Sequence, residues 1–219
     1  MALAALMTLA LSTCAFSVGL VFGTIGATAK LSRFKVLRGV ADAYTTVFRG
    51  IPELLVIYLF FFGSSAAIMF VARMFGYGDY IELNNFTIGV FAIAIISGAY
   101  STEAIRGAVQ AIPKGEIEAA KAAGMNEWLL FRRIMIPQTL RFALPTLGNV
   151  WLSTMKETAL IMVTGLTEIM RQAHVAAGST RAPFVFYVLA ACLFLLLTTF
   201  SGYGFRRAER WALRGVRRA

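Results

Sequence analysis

Lys156 and Glu157 interrupt a stretch from about Phe142 to Val163 that carries no other charge. An ionisable group in an apolar span is costly, and where one is kept it faces a cavity, a partner or a solute path. Glu157 could receive a cationic group and Lys156 a carboxylate. Alternatively, each could pair inside a larger assembly to fix helix packing, although neighbours on a helix do not face one another. Glu103 is a third such candidate. Arg106 follows it by three residues, and a snorkelling ion pair near the membrane surface also explains it. Other chemistry is scarce. His174 is the one histidine, Cys14 and Cys192 lie in apolar runs without CxxC spacing, and no HExxH or GxSxG pattern occurs. These residues predict no metal site and no catalytic nucleophile; the cysteines read as inert core residues and His174 as a surface loop residue. No GxxxxGK[ST] loop occurs either, so any ATP that drives this chain is expected on another one.

The elements that must position these residues are membrane helices. The 219 residues are 58% hydrophobic and 15% charged, with a mean hydropathy of +0.72. Crossing the hydrocarbon takes roughly 20 mostly apolar residues, and five stretches qualify, near 2–28, 53–71, 86–105, 142–163 and 183–203. The expectation is one all-α integral membrane domain over 1–219. The net charge of +10 does not point to nucleic acid, because the bases gather beside the spans. Five (Lys30 to Arg49), six (Arg106 to Arg141) and six (Arg206 to Arg218) lie in alternate connections, against three (Arg73, Arg171, Arg181) in the others. By the positive-inside rule the N-terminus is outside and the C-terminus cytoplasmic. Arg49-Gly50-Ile51-Pro52 marks a break before the second span, and Gly76, Gly78, Asp79 and Glu82 form a short outer loop. Gly98, Ala99 and Ser101 suit close helix approach, and the aromatic run Tyr58 to Phe62 suits lipid contact and packing.

The longest polar segment, 106–141, holds a short helix around Gly115 to Ala123. Pro113 suits its first turn and Gly124 the left-handed position after its end. Lys114 with Glu118 and Glu118 with Lys121 are spaced for ion pairs. The alanines at 119, 120, 122 and 123 leave the helix slim enough to enter a groove on another protein. Asn126 reads as the N-cap of a second helix, interrupted near Pro137.

Glu118-Ala119-Ala120, three residues, Gly124, nine residues, then Ile134-x-Ile136-Pro137 resembles the EAA signature of ABC importer permeases. The one departure within it is Ile136, where the family has Leu. Arg49 to Pro52, Gly98-Ala99-Tyr100 with Glu103 and Arg106-Gly107, and Ala143-Leu144-Pro145 with Gly148-Asn149 are similar to the polar amino-acid branch. Pro113-Lys114-Gly115, Phe131 to Met135 and Thr158-Ala159-Leu160 resemble its Q-type subunits for histidine/lysine-arginine-ornithine and octopine/nopaline import. Members commonly carry a short lead-in before the first span. The resemblance implies a type I, MetI-like transmembrane domain whose coupling helix docks on an ATPase through Glu118, Ala119, Ala120 and Gly124, with Ile134 and Pro137 behind it. It implies a non-enzymatic permease in a bacterial inner membrane, binding no cofactor itself, with ATP and Mg on an ATPase dimer. A second, homologous permease making a heterodimer, a periplasmic binding protein and membrane lipid complete its partners. The expected cargo is a polar, cationic amino acid, or alternatively an opine; a channel or membrane scaffold outside this family is the remaining alternative.

Overall fold

The computed structural model describes residues 1–74 and 84–212, with backbone alone at 65–68 and 71–72. The predicted outer loop at Gly76, Gly78, Asp79 and Glu82 lies outside the described residues, as do Arg214, Arg217 and Arg218 of the basic tail. The described residues are helical and contain no strand. In chain order the helices are α1 (Ala2–Leu31), α2 (Lys35–Gly50), α3 (Glu53–Met74), α4 (Asn85–Gln110), α5 (Lys114–Ala122) and α6 (Glu127–Leu130). A π-helical turn (Phe131–Met135) leads into α7 (Ile136–Glu157). A 3₁₀ segment (Thr158–Thr164), α8 (Ile169–Thr180) and α9 (Pro183–Ala212) complete the chain.

The bundle is organised by α1 against α4, which run parallel. A methyl group on Gly19 would lie 2.1 Å from Ser97 Oγ, one on Gly23 2.5 Å from Ser101 Cβ, and one on Gly26 2.3 Å from Thr102 Oγ1. From the other side, a methyl on Gly98 would meet Tyr44 Oη at 2.7 Å and Phe22 Cβ at 2.8 Å. Small residues at helical spacing let two backbones approach closely, and in lipid such packing supplies association that apolar burial cannot. Gly98 and Ser101 therefore have the role expected of them, and Ala99 is buried beside them.

Two further packing centres attach the other spans. Leu11, Ile57, Ile93 and Ile161 are fully buried together, joining α1, α3, α4 and the 3₁₀ segment. Phe16 of α1 meets Trp151 of α7 edge-on at 5.4 Å and Phe205 of α9 at 6.2 Å. α8 docks through Ile169 and Ala173 onto Ala190 of α9, and the Glu168 carboxylate caps it by accepting the N–H groups of Met170 and Arg171 at 2.7 and 2.6 Å.

Helices α1, α4 and α9 are each long and apolar enough to cross a membrane, and α2 with the first half of α3 is a fourth candidate bent by 107°. α7 with its 3₁₀ extension runs antiparallel to α4 and makes the fifth plausible span. Several expectations need correction. The second span does not begin at a surface: Glu53 lies beside Ser97 and Tyr100, and Tyr100 is about 22 Å along α4 from Asn85 at 1.5 Å per residue. The fourth span is not one α-helix to Val163, because the chain tightens to 3₁₀ after Glu157 and ends at Gly165, whose φ is +84°. The connection around Arg171 and His174 is helix α8 rather than loop; His174 remains exposed, its Nδ1 3.1 Å from Tyr187 Oη. Cys14 and Cys192 lie on the exposed surface of their helices, not in the core. In the aromatic run, Tyr58 and Phe62 are exposed while Phe60 packs into the core, as a 3.6-residue period requires.

Replacing Gly23 by leucine should drive the α1–α4 seam apart and cost about 1–3 kcal/mol as overpacking. Gly39→Ala, where nothing lies within 4 Å, should leave stability within about 1 kcal/mol of the parent, since alanine favours helix. Thermal unfolding of the detergent-solubilised protein, followed by loss of monodispersity, measures both.

Candidate functional site

Two regions carry the candidate residues: a cap-locked helix at one end of the bundle, and a polar trough inside it.

At the end of the bundle, α5 starts after Pro113, which stands at the N-cap rather than in the first turn; lacking an N–H, it forfeits nothing there. The helix stops in a Schellman arrangement. Gly124, at φ +79°, donates its N–H to the Lys121 carbonyl at 3.0 Å, and the Met125 N–H reaches the Ala120 carbonyl at 3.1 Å. Asn126 then caps α6, its Oδ1 accepting the Leu129 N–H at 2.8 Å. The ion pairs expected within α5 do not form. Lys121 instead reaches forward to Glu127 at 2.9 Å, and Glu116 accepts a hydrogen bond from Gln138, so α5 is braced against both α6 and α7.

Glu118 and Ala119 point outward and are exposed, Ala120 is buried, and Gly124 is exposed. Ile134 is half-buried in the π turn and Pro137 is exposed just beyond it. The expected interruption at Pro137 is a widening, not a break: the Ile136 N–H bonds to the Phe131 carbonyl five residues back. A π turn of this kind accommodates the donor that proline lacks.

Inside the bundle, two adjoining cavities form the trough. One, of about 300 Å³, is lined by Glu53, Ser97, Asn149, Thr154 and Glu157 among others. The other, of about 410 Å³, is lined by Arg49, Glu103 and Phe142 among others, and the two share Tyr100, Thr146 and Val150. The trough passes the 107° bend between α2 and α3, so the non-helical Ile51 and Pro52 sit where irregular backbone borders a cavity rather than lipid. One Glu157 carboxylate oxygen and the fully buried Thr154 Oγ1 have no hydrogen-bond partner among the described residues. Tyr44 holds α2 to α4 by donating to the Ile95 carbonyl at 2.7 Å.

Glu103 borders the trough but is neutralised. Lys30 Nζ lies 2.5 Å from its Oε1 and 2.9 Å from Asp42, while Arg106 donates to its Oε2 from two nitrogens at 2.7 and 2.9 Å. The pairing with Arg106 is the expected one. Lys30 and Asp42 are additional, and they bind the ends of α1, α2 and α4 together. Lys156 does not join Glu157: it is exposed on a different face of α7, beside Met170, Tyr187 and Phe194. Among the described residues it makes no ion pair.

Residues 19–210 match the family described as the inner membrane component of binding-protein-dependent transport systems. The chain belongs to that permease family. It is 55% identical over 214 residues to the nopaline transport system permease protein NocQ of Agrobacterium fabrum, covering 97% of this chain and 91% of that one. It is 38% identical over 215 residues to the histidine/lysine/arginine/ornithine transport system permease protein HisQ of Escherichia coli, covering 98% and 94%. A crystal structure of an amino acid ABC transporter with histidines contains a chain of the same fold, with a TM-score of 0.79 at 33% identity and coverage of 94% and 90%. The fold is thus the type I ABC importer transmembrane domain.

In this permease the sequence pointed to Glu157 and Glu103, which the structure brings to one trough, and to Lys156, which it places elsewhere. It missed Arg49 and Glu53. Both flank Gly50 and Pro52, and counting Arg49 among the cytoplasmic bases set it outside the membrane. The signal was available in the amphipathic run that ends at Arg49, too polar for a surface-to-surface span and too apolar for a loop.

Gly124→Ala forces a left-handed conformation on a residue with a Cβ and should cost the α5 stop about 1–2 kcal/mol. Faster limited proteolysis between α5 and α6, with the membrane spans unaffected, is the expected readout.

Proposed function

We propose that this permease moves a guanidinium- or amine-bearing solute inward along the trough, with Glu157 and Glu53 receiving the cationic group. The observation that carries the reading is two half-buried carboxylates, Glu53 and Glu157, lining one cavity at a break between two helices. Such groups are retained within a membrane where they serve a solute path. A cationic amino acid is the first cargo class. An opine, which adds a carboxylate-bearing arm to such an amino acid, is the second, favoured by the 55% identity to a nopaline permease.

The N-terminus lies outside and the C-terminus in the cytoplasm, a reading supported by the excess of basic residues at the α5 end of the bundle. That end then meets the ATPase dimer, which binds ATP and Mg, with Glu118, Ala119 and Ala120 entering its groove. Closing and reopening of the dimer shift the membrane helices between outward- and inward-facing arrangements. A second, homologous permease completes the translocation path as a heterodimer, and a periplasmic binding protein delivers cargo. Glu103, fully engaged by Lys30 and Arg106, holds helices together and contacts no cargo.

Reconstituted with its ATPase, partner permease and binding protein, the Glu118→Arg variant should lose cargo-stimulated ATP hydrolysis down to the unstimulated level while the permease pair still co-purifies. Retained stimulation would remove α5 from the docking surface. Glu157→Gln should lower uptake of labelled arginine about tenfold in the same vesicles; unchanged uptake would take the acid pair off the path.

A further inference from the structure

Arg49 faces the trough and has no part in receiving a cation. Arg49 is exposed on this chain and so is open to a solute in the trough. Here it lies over the Tyr100 ring, 5.3 Å from the centroid, and makes no ion pair among the described residues. Three carboxylates line the same trough, yet none is spent on Arg49. Glu103 is occupied by Lys30 and Arg106, and Glu53 and Glu157 line the adjoining cavity. A guanidinium held by a ring face keeps its planar fork of N–H donors for a second partner, and that fork matches a carboxylate in geometry. Between the two ends lie the shared Tyr100, Thr146 and Val150, and the orphan Thr154 hydroxyl and the Asn149 amide line the Glu157 side. The trough therefore presents acid at one end and an unpaired base at the other.

We infer that Arg49 is the anchor for the carboxylate of the transported solute, so that the permease itself selects cargo bearing a carboxylate at one end and a cation at the other. The inference rests on the trough being the solute path, and it adds a residue that determines specificity. A cation without a carboxylate leaves the Arg49 fork without a partner and lacks the contact that a carboxylate-bearing solute gains.

The test compares arginine and octopine, which carry carboxylates, with agmatine, which is arginine without one. Binding is measured to the purified complex with its ATPase in lipid nanodiscs, without the binding protein, whose own selectivity would mask the effect. Wild type should favour arginine or octopine over agmatine by roughly ten- to a hundredfold, the range expected for a charge-assisted bidentate contact. Arg49→Gln should bring that advantage to within about twofold and leave agmatine binding unchanged, whereas Glu157→Gln should weaken all three ligands together. An advantage that survives Arg49→Gln, or equal loss of all ligands in that variant, overturns the anchor while the path through the acid pair stands. If Glu157→Gln changes nothing but Arg49→Gln still removes the advantage, the acid pair is wrong and the anchor holds; no effect of either variant sinks both. Should Arg49→Gln fail to assemble, Arg49→Lys keeps the charge without the fork. The advantage should then fall several-fold, and a wild-type ratio would reject the proposal.

Discussion

Backbone contact between α1 and α4 is the constraint on which the other elements depend. Lipid tails are as apolar as leucine, so the seam cannot draw on exclusion from water and must gain its stability from atom-to-atom fit. Gly19, Gly23 and Gly26 on one helix and Ser97, Ser101 and Thr102 on the other leave no room for a methyl group. Because the two helices run parallel, the chain between them must return across the bundle. It does so in two pieces, α2 and α3, bent by 107° where they meet. The kink between them is thus a consequence of the seam as well as of Gly50 and Pro52. The ion cluster of Lys30, Asp42, Glu103 and Arg106 closes the same seam at its α5 end.

That arrangement gives the trough its character. A helix that crossed without interruption beside α4 would cover Tyr100 and Ser97 with side chains. The bend withdraws the backbone at Ile51 and Pro52, and the space beside it is lined by hydroxyls, an amide, apolar side chains such as Val150 and Phe142, and the charged groups of Arg49, Glu53, Glu103 and Glu157. Polar groups that would be expensive against lipid are placed where protein walls surround them, and Tyr44 keeps α2 from drifting off α4. Lys156, by contrast, faces away from this space although it adjoins Glu157 in sequence, because adjacent residues on a helix are about 100° apart.

Much of this was legible in the sequence. The number of spans, the break at Arg49 to Pro52, the left-handed Gly124, the Asn126 cap and the close-packing role of Gly98 come from hydropathy, capping and turn chemistry acting over a few residues. The features that were not legible depend on contacts far apart in sequence. Nothing local tells Lys121 to prefer Glu127 over Glu118, or brings Lys30 to Glu103. Nor could hydropathy show that Glu53 begins a helix beside the middle of α4, since a window over 53–71 reads the same whether it starts at a surface or at a bend. The 3₁₀ tightening after Glu157 and the helix at 169–180 escaped for the same reason, being fixed by packing against α1 and α9.

The π turn at Phe131–Met135 has a mechanical meaning. Its two neighbours differ: α5 and α6 are fused by the Schellman stop, the Asn126 cap and the Lys121–Glu127 pair, while α7 runs for 22 residues with Pro145 inside it. The wide turn, with a hydrogen bond spanning five residues and Pro137 two positions after it, is one compliant stretch of backbone, and Pro145, which forfeits a helical hydrogen bond, is a second. A load applied to α5 therefore acts on a short lever with a soft root, and the deflection reaches first the turns of α7 that precede Pro145. The far end of α7 carries Glu157, so a push at the rim of the bundle reaches the trough through two points where the backbone gives.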